Sequence, residues 1–345
     1  IQFAKNRPVG YSRNGLVDLP MATEDIHKNF AVVKDELLTN RAIVSIAEAG
    51  GPTTAVHSTN SGFTWKGKDP SLAVEFPNTE VSYDYGKTVG WQFEEGRDFS
   101  RAYPTDSVGF VVNQAAVKFM GLKDPVGETI KWDGEPFHII GVIKDMVVES
   151  PYQPVRPSLF HLISGSGSNV LLKINPQMSA HEALGKIETV YKKYNPSQPF
   201  EYHFVDDEYA KKFGNEERIG KLASCFAGLA ILISCLGLFG MASFMAEQRI
   251  KEIGVRKVLG ASVLSLWQLL SKDFVALIVI SLVIATPVSY YFMHKWLLGY
   301  QYRTGITWWI YAVTAIGAIM ITLLTVSYQS IKAALANPVK SLRSE

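Results

Sequence analysis

Residues 247–273 read EQRIKEIGVRKVLGASVLSLWQLLSKD, and their reading decides the fold. The stretch lies between two long apolar runs and carries the densest group of charges in the chain. Ile250, Ile253, Val258 and Leu259 recur close to helical spacing, with Arg249, Glu252 and Arg256 on another face. Glu252 precedes Arg256 by four residues, the favourable order for an ion pair on a helix. Gly260 accepts the left-handed conformation in which helices commonly end. Ser262 is suited to cap a second helix starting at Val263. The spacing predicts a short amphipathic helix, a sharp turn at Gly260, Ala261 and Ser262, and a second helix that runs into a membrane.

The flanking runs bear this out by length and composition. Leu222 to Ala246 holds no charged residue, and at 1.5 Å per residue it reaches roughly 37 Å, more than the ~30 Å hydrocarbon core requires. Phe274 to Met293 and Thr304 to Ile331 are two further uncharged spans. Pro287 predicts a kink in the second, and Gly228, Gly237 and Gly240 favour close helix contacts in the first. Basic residues set the orientation. The 247–273 loop carries Arg249, Lys251, Arg256, Lys257 and Lys272, and the tail carries Lys332, Lys340 and Arg343. The 294–303 loop carries only Lys295 and Arg303, next to Trp296, Tyr300, Tyr302, Trp308 and Trp309, which suit an outer aromatic belt. The 247–273 loop and the C-terminus are therefore expected in the cytoplasm, and residues 1–206 outside. No ionisable residue lies within a span, which argues against an ion or proton pathway between the helices.

Upstream, 1–221 has the mixed pattern of a soluble domain. Leu16–Met21 reads as a strand, Thr23–Thr39 as a helix capped by Thr23, and Arg41–Ala47 as a strand ended by Gly50-Gly51-Pro52. Thr53–Trp65 and Leu72–Tyr85 read as β structure. Then come a strand at Val108–Val112, a short helix at Asn113–Met120, and a hairpin pairing Thr129–Trp132 with Phe137–Ile143 across Asp133-Gly134. A strand at Ser158–Ile163, the flexible run Ser164–Ser168 and a strand at Val170–Ile174 follow. Ser179 to Glu182 forms a capping box for a helix with Leu184, Ile187, Tyr191 and Tyr194 on its apolar side. Phe200–Val205 reads as a last strand. Asp206, Asp207 and Glu208 open a helix at its positive end, and no break separates them from the first span. The order predicts an α+β domain of two subdomains. One comprises about 1–85 and 168–206; the other is the inserted β-rich piece, about 90–163. A stalk helix over 207–221 leads into the helical membrane domain.

Several chemistries lack their residues. A net charge of +2 gives no bulk attraction for nucleic acid. Both cysteines, Cys225 and Cys235, fall in the first span, so no disulfide framework is expected. The Gly254–Gly260 spacing is one residue too long for a phosphate-binding loop, and Ala261 stands where that loop needs Lys. His27, His57, His138, His161, His181, His203 and His294 are scattered without metal-ligand spacing. The serine-glycine run lacks the context of a nucleophile elbow. Asp206, Asp207 and Glu208 read as a helix start in preference to a cation site. Neither a catalytic residue nor a metal is expected in this chain.

The stretch EQRIKEIGVRKVLGAS resembles the signature of FtsX/MacB-type ABC-transporter permeases. The motifs Gly96-Arg97-Asp98-Phe99, Val112-Asn113-Gln114-Ala115-Ala116, Asp124-Pro125-Val126-Gly127 and Ile140-Gly141-Val142-Ile143-Lys144-Asp145 resemble that family's periplasmic core domain and occur in its order. The ending ANPVKSLRSE is similar to the family's C-terminus. The resemblance implies an inner-membrane permease that couples ATP hydrolysis on a partner ATPase to movement of its outer domain. Export, lipoprotein extraction and antimicrobial-peptide resistance are among the family's roles. It implies that Arg249, Ile250, Glu252, Ile253, Gly254, Arg256 and Lys257 form the helix that docks on the ATPase. ATP and Mg are then held by that partner and not by this chain. It also implies a second permease half or a homodimer, with periplasmic or outer-membrane factors as further partners. The other reading is a membrane-anchored signalling protein or cell-wall-hydrolase regulator with the outer domain as sensor or lever. Three spans exceed what such a relay needs, and no cytoplasmic signalling segment follows them. Ile1 is not a start methionine, so the chain is expected to be a fragment preceded by at least one membrane helix.

Overall fold

The computed structural model describes residues 1–165 and 167–335. The family-like ending at 336–345 lies outside them. Residues Ile1–Gly214 form one compact unit and the chain from Asn215 onward a second.

One twelve-stranded sheet runs through the first unit. From one edge its order is His203–Phe204, Leu16–Pro20, Asn169–Ile174, Ile43–Ala49, Phe76–Val81, Leu159–Leu162, Gly109–Asn113, Glu135–Ile143, Thr129–Trp132 and Phe63–Trp65. Thr59–Asn60 pairs with the Phe76–Val81 strand and Phe93–Gly96 with the Glu135–Ile143 strand. Two pairings are parallel, Leu159–Leu162 on Phe76–Val81 and Gly109–Asn113 on Glu135–Ile143. The sheet narrows between Ile43–Ala49 and Phe76–Val81, which share the single register pair Ala49 with Val81. An apolar cluster lies to each side of this waist. Val17, Ile46, Leu172 and Ile187 belong to one, with helices Phe30–Thr39 and Ala180–Tyr194 laid on it. Phe63, Phe110, Ile130, Ile139 and Leu159 belong to the other.

The family-like motifs have structural duties here. Arg97 grips Asp106 with two 2.7 Å bonds, and Ser100 N–H donates to the same carboxylate. Such a bidentate, charge-assisted pair fixes geometry as well as energy. Asn113 caps helix Gln114–Met120 by accepting from Ala116 N–H, and its amide donates to the Arg156 carbonyl. Asp145 accepts from Ala115 N–H at 2.8 Å. Gly141 cannot carry a side chain, because a Cβ there would lie 2.4 Å from the Arg97 carbonyl oxygen.

Several sequence expectations need correction. The helix expected over Thr23–Thr39 is two helices, Asp25–Lys28 and Phe30–Thr39. Asn29 breaks it, since its side-chain amide donates to the Asp25 carbonyl and competes with the helical ladder. Thr23 does not cap it; its hydroxyl donates to Asn195 Oδ1. Phe63 and Trp65, expected with the outer pieces, pair with Thr129–Trp132 and pack in the second cluster. Tyr85 opens a short helix, Tyr85–Val89, instead of ending a strand. The last strand is only His203–Phe204. The unbroken helix expected from Glu208 into the first span is also two. Val205–Lys211 stops, Lys212 and Phe213 form a turn, and Gly214–Gln248 begins.

Among the described residues three helices are long and apolar enough to cross a membrane: Gly214–Gln248, Val263–Leu297 and Trp308–Gln329. Pro287 lies inside the second. No other helix comes within 4 Å of where a side chain on Gly228, Gly237 or Gly240 would begin, so the close approach expected there is not made among the described residues.

Candidate functional site

Between the first two spans the chain makes an elbow. The first span ends at Gln248, Arg249 takes a non-helical conformation, and a nine-residue helix runs from Ile250 to Val258. It ends as the sequence predicts. Gly260 has φ of +89°, its N–H bonds the Lys257 carbonyl, and Ala261 N–H bonds the Arg256 carbonyl. That pair of bonds is the Schellman arrangement, which satisfies carbonyls a helix end otherwise leaves open. Ser262 then accepts from Ser265 N–H at 3.2 Å and starts the helix Val263–Leu297.

Each residue singled out in the sequence can be placed. Glu252 and Arg256 form an ion pair of 2.7 Å on the exposed face. Glu252 lies in the first turn and Arg256 and Lys257 in the last, an arrangement that complements the helix dipole. Arg249 reaches Asp273 at 3.1 Å and ties the elbow to the second span. Ile250 is half-buried. Ile253 and Gly254 face inward; Ile253 is 3% exposed and packs on Leu266 and Leu270, with Ala261 against the same cluster. The outward apolar residues are Val255, Val258 and Leu259, the last 80% exposed.

A second layer of contacts anchors the elbow to the spans. Trp267 donates its indole N–H to Ser327 Oγ at 2.8 Å, joining the second and third spans. Ala242, Phe274 and Val326, one from each span, form a small core with Leu238 and Met245 beside it. The elbow helix itself lies against the third span helix. Asp273, Leu266, Leu270, Trp267 and Ser327 were not singled out from sequence. The i,i+4 spacing of Leu266 and Leu270 and a lone acid at the start of an apolar run were the available signals.

Among the described residues of the outer unit, histidines are engaged separately. His27 bonds Glu48, His138 bonds Thr129, and His161 bonds Asn78 beside an open polar cavity that His57, Glu80 and Trp132 also border. Among the described residues no group of His, Cys, Asp and Glu is arranged to hold a metal.

Comparison with known proteins places both units. The model of the MacB-like periplasmic core domain matches residues 15–190, and that of the FtsX-like permease C-terminal region matches 224–338. An uncharacterized ABC transporter permease of Bacillus subtilis, YknZ, is 24% identical over 213 residues, covering 59% of this chain and 53% of that protein. The macrolide export ATP-binding/permease protein MacB of Neisseria gonorrhoeae is 24% identical over 233 residues, 63% of this chain and 35% of that protein. The match thus spans about half of one relative's length and about a third of the other's. The crystal structure of the periplasmic region of MacB from Actinobacillus actinomycetemcomitans aligns with 59% of this chain and 94% of that one, at 15% identity and a TM-score of 0.42.

Proposed function

Because the chain belongs to the family of FtsX-like permeases with a MacB-like periplasmic core domain, we propose that it is one permease half of an ABC transporter. In this reading the elbow receives the stroke of an ABC ATPase. The observation that carries it is the two-sided construction of the elbow helix. Its inner face is fixed to the spans through Ile253, Leu266, Leu270 and the Arg249–Asp273 pair. Its outer face presents Val255, Val258, Leu259 and the Glu252–Arg256 pair. A helix built in this way passes on a displacement applied from outside, because close-packed contacts transmit strain.

ATP and Mg are held by the ATPase, and two permease halves face one ATPase dimer. The exposed apolar sides of the first span suit lipid and a second half. Residues 1–206 lie outside the inner membrane; the elbow and C-terminus lie in the cytoplasm. Nucleotide-driven closure moves the spans, and the helix entering the first span carries that movement to the outer domain. Export of a substrate, lipoprotein extraction and peptide resistance all use such a stroke.

The test is ATPase stimulation in reconstituted membranes, with capture of the ATPase by the permease. Glu252→Lys breaks the pair with Arg256 and reverses a charge at the docking face, and Leu259→Asp removes its most exposed apolar residue. Each is expected to lower stimulation roughly tenfold, about 1.4 kcal/mol of coupling, with membrane insertion unchanged. Parental capture and stimulation by both variants would remove the elbow from the coupling path. Gly254→Trp is a different perturbation, since Gly254 faces inward and a bulky group there moves the elbow off its support.

A further inference from the structure

The chain leaves the outer unit through Lys212, whose ammonium is bonded by three main-chain carbonyls: those of Thr54, Val148 and Glu149. An ammonium has three N–H donors, so all are used. The acceptors come from two separate segments, one following strand Ile43–Ala49 and one following strand Glu135–Ile143. Phe213 sits alongside, 1% exposed, with its ring edge-on to Tyr209 at 5.5 Å and to Tyr152 at 5.7 Å. Arg13 covers Tyr209 at 4.2 Å and pairs with Asp206 at 3.4 Å. At this pair of residues the helical ladder stops, and it resumes at Gly214.

We propose that Lys212 is a latch, the positioning residue through which the outer unit grips the helix of the first span. The latch rests on reading that helix as the carrier of movement. An uninterrupted helix would spread a pull along its own backbone bonds. The break concentrates the pull on the Lys212 ammonium and the Phe213 ring. A dehydrated cation taken from its acceptors without a replacement is costly, so the contact resists load up to a threshold and then releases at once. Burial pushes the Lys212 amine down to about 8, against the pull of Glu149 and Glu208. Because all three acceptors are main-chain, side-chain variation in the two segments leaves the grip intact.

The experiment is single-molecule force spectroscopy on the full chain in a nanodisc, with Cys225 and Cys235 replaced by Ala and handles at Lys192→Cys and Lys221→Cys. The first rupture in the parent is expected at a sharp force. In Lys212→Met it falls to less than half, a larger fractional loss than that of the outer unit's urea midpoint. Lys212→Arg, which keeps the charge, restores most of it. At about pH 9.5, above the value of about 8 to which burial lowers this amine, the unsubstituted residue repeats the drop and needs no variant to fold. Glu149 and Glu208 are the charges that act on it; the other titratable groups nearby surround its neighbours, with Lys5, Tyr152 and Tyr209 against the Phe213 ring and Arg13 over Tyr209. A parental rupture force in Lys212→Met and at high pH overturns the latch, as does a force that falls only in proportion to the urea midpoint. The measurement uses neither nucleotide nor a second chain. Its failure therefore leaves the ATPase coupling proposal standing, and failure of that coupling leaves the latch measurable.

Discussion

Asp18 stands in the strand Leu16–Pro20 at 5% exposure, with Asn169 Nδ2 donating to its Oδ1 at 2.7 Å. Burial pushes its carboxyl up to about 6, opposed by the bond from Asn169 and by His203, with Glu208 adding to the rise. The sign follows from the two states. The folded carboxyl holds its proton up to a higher pH than the unfolded one, so its favourable contribution is complete below the unfolded value near 4. That contribution is lost as pH rises through about 6, and above this the buried charge is a standing cost. Asp18→Asn keeps an acceptor for Asn169 and removes the charge. It is expected to stabilise the outer unit by about 1–3 kcal/mol at pH 7 and by little at pH 4. Urea midpoints at the two pH values check this; equal gains at both would show that the charge is not what costs stability. Asp106 shows the opposite case. It too is inaccessible to solvent, yet Arg97 holds its carboxyl below the usual range despite the desolvation.

The elbow is the element whose form is most local. Its length follows from apolar spacing, its end from Gly260, and its successor from Ser262. At φ of +89° any side chain at position 260 is strained, so Gly260→Ala is expected to cost about 1 kcal/mol in the turn. The amides of Gly260 and Ala261, which make the two closing bonds, should then exchange with solvent roughly fivefold faster in the full chain. Unchanged exchange would mean that the left-handed cap contributes nothing. The stalk shows the reverse dependence. Within 207–221 the one local signal of a break is Gly214-Asn215, and it does not say that the ladder stops at Lys212 and Phe213, which are ordinary helix residues. Their partners Thr54, Tyr152, Val148 and Glu149 are 60 to 160 positions away, to the nearest ten.

For the whole molecule, orientation is the consequence most open to measurement. In a chain with Cys225→Ala and Cys235→Ala, Ser164→Cys and Lys251→Cys each place one thiol at an exposed position. The first is expected to react with a membrane-impermeant maleimide on intact cells, and the second only after permeabilisation. The reverse labelling would invert the topology and detach the elbow from any cytoplasmic ATPase. The basic residues of the 247–273 loop supply the physical reason for the expected result.

What the sequence by itself determined is what short-range physics controls. A helix with i,i+4 charges, a glycine at a helix end and a serine at a helix start are each decided within about ten residues, and each of the three uncharged runs within one continuous stretch of about 20 to 30. The Asp133-Gly134 hairpin belongs with them: Asp133 and Gly134 both take positive φ, as that turn demands. The tertiary structure alone decided which faces are free. Ile253 and Val258 are both apolar and lie about 140° apart on the helix, and only the packing shows that Ile253 is the one sealed by Leu266 and Leu270 while Val258 points outward. It alone joined all the strands of the outer unit in one sheet and carried Phe63 to its far edge. It alone broke the stalk at Lys212. Strand partners and buried cations are settled by acceptors and registers distant in sequence, and no local pattern encodes that distance.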